Sequence, residues 1–136
     1  MFEDRIHQLH QRITTIEQLV TVLLNDDETD TPLTGEVRDF TMVIHTNIHD
    51  LMTMLAPVLD ALSNHQPGQA FPGDMHNIRS PLVAVMGYAD ILEQGIIGQI
   101  NAAQQTAYKQ IYTHGLRVSE MLEEIYVDIK AQLPDA

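Results

Sequence analysis

The sequence contains no cysteine and no tryptophan, little basic charge and no long apolar run. Without cysteine there is no disulfide framework, no thiolate nucleophile and no cysteine-based zinc site. Lys and Arg together number 7 against 19 Asp and Glu, a formal net charge of −12. That balance argues against nucleic acid or an anionic membrane surface as ligand and favours a partner with a basic patch. No stretch approaches the roughly 20 apolar residues that span a bilayer, and the charged, amphipathic start from Met1 to Arg12 is not an export signal. There is no Gly-rich phosphate loop and no ATP-binding domain. The expectation is a soluble, cytoplasmic chain, complete from Met1 to the polar Pro134-Asp135-Ala136.

Hydrophobic residues make up 44% of the chain and aromatics only 5%, so the core must come from Leu, Ile, Val, Met and Ala. Apolar residues step by four and three through Phe2, Ile6, Leu9, Ile13, Ile16, Val20 and Leu23, predicting a first helix. Asn25 to Pro32 is acidic and turn-rich. A second seam runs through Val37, Phe40, Ile44, Ile48, Leu51, Leu55, Val58 and Leu62, with Thr34 as N-cap and a kink predicted at Pro57. His65 to Gly73 holds two Pro and two Gly and reads as a connector. Ile78, Leu82, Val85, Ala89 and Leu92 define a third helix capped by Asp74 and ending near Gly95. Tyr108, Ile111, Gly115, Val118, Leu122, Ile125 and Ile129 define a fourth, capped by Asn101.

No segment alternates with period two, so the fold class expected is all-α. Two helical hairpins, residues 1–64 and 74–133 joined by a linker at 65–73, form a four-helix bundle, closed within one chain or by homodimerisation. Asn47-Ile48 and Asn77-Ile78 recur at an offset of 30, a faint echo between the hairpins.

The segment His76-Asn77-Ile78-Arg79-Ser80-Pro81-Leu82, followed by Gly87-Tyr88, is where pattern meets chemistry. It resembles the H-box of sensor histidine kinases, in which a phosphoacceptor His precedes an acid, any residue, Arg, Thr, Pro and Leu, then a Gly and an aromatic. His76, Arg79, Pro81, Leu82, Gly87 and Tyr88 match, Ser80 replaces Thr, and Asn77 replaces the acid. The resemblance covers residues 74–131 and implies a dimerisation and phosphoacceptor hairpin without the catalytic ATP-binding domain. It implies His76 as acceptor, Asn77 and Ser80 shaping the site, and Arg79 steering the phosphate.

Helix geometry bears on the same residues. At about 100° per residue, His76 and Ser80 lie roughly 160° to either side of the centre of the seam, so both are predicted on the solvent face. Pro81 lacks the N–H that would reach the carbonyl of Asn77, which loosens the turn carrying His76. Imidazole carries phosphoryl groups well because one ring nitrogen is nucleophilic at neutral pH while the other is hydrogen-bonded. The positive end of the helix favours a phosphoryl group there. Asn77 hydrogen-bonds but cannot act as a base, which favours transfer with a receiver domain over kinase chemistry.

His45 and His49, with Asp50 adjacent, lack a third ligand and are not expected to bind a metal. The run Asp26 to Asp30 lacks the Gly and terminal Glu of a calcium loop. The function expected is that of a two-component signalling protein. It is a stand-alone module exchanging a phosphoryl group between His76 and a receiver-domain aspartate, histidine-kinase-like phosphotransfer at most and not a complete kinase. It holds no cofactor of its own, Mg²⁺ residing on the receiver. The alternative is a non-catalytic hairpin that binds and regulates a kinase or response regulator. Partners expected are a response regulator or receiver domain, a separate histidine kinase, and a second copy of the chain.

Overall fold

Four aliphatic seams call for four helices, and the computed structural model has them: α1 (Phe2–Asn25), α2 (Gly35–Ser63), α3 (Asp74–Glu93) and α4 (Ala102–Gln132). The structure describes residues 2–25, 31–64 and 74–132, without the side chains of residues 2, 3, 62, 63, 74–76, 129 and 132. The acidic run 26–30 and the connector 65–73 lie outside the described residues. Among the described residues there is no strand, and no helix is long and apolar enough to cross a membrane.

Local chemistry sets the helix ends. The carbonyl of Thr34 accepts from the N–H of Arg38 at 3.3 Å, opening α2 at the predicted cap. α3 stops where Gly95 enters the left-handed region at φ 73°, with its N–H donating to the carbonyl of Leu92 at 3.1 Å. α4 opens with a reciprocal cap, in which Asn101 Oδ1 accepts from the Gln104 N–H at 2.7 Å and Gln104 Oε1 accepts from the Asn101 N–H at 2.9 Å. Gln104, almost fully buried, also donates its amide to the carbonyl of Thr31 and so ties this corner to the α1–α2 connection. Pro57 and Pro81 each remove one helical hydrogen bond, yet α2 and α3 run through them without a break.

The helices are arranged up-down-up-down. α1 packs on α2, α2 on α3, α3 on α4, and α4 returns to α1. At one end Arg38 donates to the carbonyl of Leu24 at 3.2 Å, and at the other an Arg5–Asp128 ion pair joins the start of α1 to the end of α4. The ring is therefore complete in a single chain. α1 and α2 take the places that a second chain's hairpin would fill, so homodimerisation is not needed to close the bundle.

The predicted seams supply the core, with Ile6 and Phe40 only partly buried; the side chains of Phe2, Leu62 and Ile129 lie outside the described residues. Leu9, Ile13, Ile16 and Val20 of α1 meet Ile44, Ile48, Leu51 and Leu55 of α2 in one cluster, which Ile78, Leu82, Val85 and Ala89 of α3 and Ile111, Val118, Leu122 and Ile125 of α4 complete. Among the described residues Tyr108 is the one aromatic ring wholly inside it, and its hydroxyl lies 2.7 Å from Thr41 Oγ1. Thr41 spends its own proton on the carbonyl of Val37 at 2.7 Å, so Tyr108 is the donor of the pair. Burial pushes the Tyr108 hydroxyl above its ordinary pKa and keeps it protonated.

The α3–α4 loop is seated tightly on the start of α2. A Cβ added at Gly98 would stand 2.5 Å from Val37 Cγ2, the stiff branch of a buried side chain. Gly98→Ala is expected to destabilise the bundle by about 1–3 kcal/mol through overpacking, measured by urea unfolding. An unchanged midpoint would mean that the loop does not hold this position.

Candidate functional site

α3 is packed on two flanks and free on its back. On the α2 side the rings of Tyr88 and Phe40 meet edge to face, centroids 5.2 Å apart. On the α4 side Met86 lies against Gly115, where an added Cβ would come within 2.8 Å of Met86 Cγ. Between these flanks Ile78, Leu82, Val85, Ala89 and Leu92 point into the core, as their spacing predicts. Opposite them Ser80 and Gly87 are exposed and Val83 is 65% exposed. Position 76 falls in the first turn of the helix, one turn before Ser80; the side chain of His76 lies outside the described residues.

The other three predicted site residues are divided between two grooves. Asn77 and Ser80, both exposed, line a groove of about 610 Å³ between α2 and α3. Its opposite wall is Asn47, Asp50, Met54 and Pro57 of α2. Asn47 turns its amide back to the carbonyl of Val43 at 2.8 Å, while the carboxylate of Asp50 has no ion-pair or hydrogen-bond partner among the described residues. Pro81 is buried beneath the α3 wall.

Arg79 faces the other way. It pairs with Glu123 of α4 and borders a second groove, of about 680 Å³, with Glu120, Glu124 and Asp128. Both members of the pair are about half exposed, at 51% and 52%, so it contributes little to stability. A role for Arg79 in steering a phosphate would require it to leave Glu123.

Sequence reasoning missed Asp50 and Met54 as neighbours of the H-box-like turn. The only signal was the recurrence of Asn-Ile at positions 47 and 77, and both asparagines line the same groove. His45 and His49 lie one turn apart along α2 with ring centroids 4.5 Å apart and planes tilted by 45°, and among the described residues no group of three ligating side chains includes them.

One histidine with a shifted pKa lies elsewhere. His114 of α4 faces Arg12 of α1, whose guanidinium donates to His114 Nδ1 at 3.2 Å. A guanidinium has no acceptor, so the neutral ring carries its proton on Nε2. Burial, and then the charge of Arg12, hold the His114 pKa below 6.5.

No family model matches the chain, and neither a curated protein nor a solved structure matches it.

The depressed His114 pKa fixes a direction for pH dependence. Its contribution to stability is fully present above the unfolded-state value of about 6.5 and is lost as pH falls through the lower folded-state value. His114→Gln, compared with wild type by thermal unfolding from pH 7.5 to 5, should lose less stability on acidification. Parallel curves for the two proteins would contradict the assignment.

Proposed function

We propose that the chain is a phosphorelay module in which His76 accepts a phosphoryl group from, and returns it to, the aspartyl phosphate of a receiver domain. The observation that carries the reading is the open back of α3. Ser80, Val83 and Gly87 continue in successive turns from position 76 and nothing in the bundle covers them. The H-box-like order of residues from His76 to Leu82 supplies the chemistry, and the helix N-terminus favours the charge that arrives.

In the transfer, a ring nitrogen of His76 attacks phosphorus, the P–N bond forms, and the bond to the receiver's carboxylate oxygen breaks. The carboxylate leaves without needing a proton, so the reaction asks little of Asn77 beyond hydrogen bonding. The Mg²⁺ that screens the phosphoryl oxygens belongs to the receiver. Such partners place the chain in the cytoplasm.

Asn77 in the acid's position favours a second reading: the same face binds a kinase or response regulator and regulates it without transfer. Incubation with a phosphorylated receiver separates the two. Wild type is expected to gain acid-labile label and His76→Gln to gain none. A wild type that stays unlabelled while the receiver loses its phosphoryl group removes the transfer reading, and a complex that survives His76→Gln supports the regulatory one.

Gly87 offers a test common to both. A glycine inside a helix costs about 0.5–1 kcal/mol relative to alanine, and a Cβ here would meet nothing within 4 Å. The bundle gains nothing from its small size. Gly87→Ala should therefore raise stability by about that amount while weakening partner association, read by calorimetric titration. Undiminished association would show that the partner does not approach this turn closely.

A further inference from the structure

We propose that the groove between α2 and α3 is a socket for an arginine side chain presented by a partner protein, and this holds under either reading of the function. The groove is rich in acceptors, and among the described residues no Lys, Arg or His lines it. Asp50 brings a carboxylate, Asn77 an amide and Ser80 a hydroxyl, and none of the three has a hydrogen-bond partner among the described residues. One backbone acceptor adds to them. Pro81 has no N–H to offer the carbonyl of Asn77, itself a groove residue. Pro57 and Pro81 both line the groove.

The register brings these groups to one level. Phe40 packs on Tyr88, so ten residues along α2 to Asp50 match ten residues back along the antiparallel α3 to Ile78. Asp50 thus stands level with the turn that carries Asn77 and Ser80. Met54, 40% exposed, and the proline rings supply apolar walls for an aliphatic stem.

The chemistry selects the occupant. A guanidinium offers five N–H donors in a planar fork that grips a carboxylate with two bonds and still reaches carbonyl and hydroxyl oxygens, whereas an ammonium is a single point charge. The net charge of −12 draws such a partner in. The second groove, though more acidic, is already served from within. Glu123 is held by Arg79, Asp128 by Arg5, and Glu120 and Glu124 by Arg117 at 3.3 and 3.5 Å. Of the two grooves, the one between α2 and α3 is the one that holds a carboxylate without a partner among the described residues.

The test uses the full chain and a blocked Ala-Arg-Ala peptide, with Ala-citrulline-Ala as its neutral counterpart, in ¹⁵N-resolved NMR titrations at low salt. The arginine peptide is expected to give saturable shifts centred on Asn47, Asp50, Asn77 and Ser80. Asp50→Asn should weaken it about two- to fivefold, the range for an exposed charge pair. Asp50 is exposed, so the variant keeps the fold, checked by its helical circular dichroism. Equal shifts with the citrulline peptide, shifts confined to Glu120–Asp128, an affinity indifferent to Asp50→Asn, or no saturable shift at all would each overturn the proposal.

Discussion

The structure depends on the return of α4 to α1. Each helix carries one aliphatic stripe and a polar remainder, so no single hairpin can shield its own apolar face from water. Two hairpins facing each other can, and the α1–α4 contact is what turns a row of helices into a closed ring. Burial of a Leu, Ile or Val is worth roughly 1.5–3 kcal/mol, so the cluster shared by all four helices outweighs by far the exposed ion pairs decorating the ends. The pairs Arg5–Asp128 and Arg38–Leu24 mark the register of the closure and do not drive it.

Much of this was legible in the sequence because a helix seam is a one-dimensional pattern. Leu9, Ile13, Ile16 and Val20 on α1, and Ile78, Leu82, Val85, Ala89 and Leu92 on α3, are buried where their spacing placed them. The caps at Thr34 and Asn101 and the stop at Gly95 were also legible, since each depends on a few adjacent residues. Thr41 and Gln104 were not. Both are polar, and both are buried because of partners far along the chain, Tyr108 for the first and the Thr31 carbonyl for the second. Periodicity also cannot tell a bundle closed by one chain from one closed by two, because the same stripe serves either.

The candidate site divides along the same line. That Ser80 would be exposed and Leu82 buried follows from angular position on one helix. That Asn77 and Ser80 share a groove with Asp50 while Arg79 turns to Glu123 depends on which helix lies on which flank of α3, a fact no local pattern contains. The bundle thus splits an H-box-like run of residues into an acceptor-rich side, a paired cationic side and an uncovered back. Both functional readings need that back open, and they differ only in whether a phosphoryl group crosses there.

The central claim is that one chain closes its own bundle and leaves the back of α3 uncovered. Thermal unfolding followed over a hundredfold range of protein concentration tests it most directly. An intramolecular bundle melts at the same temperature throughout, whereas a bundle completed by a second chain melts higher as concentration rises. A concentration-independent Tm is the predicted result, and a Tm that climbs with concentration would contradict the account.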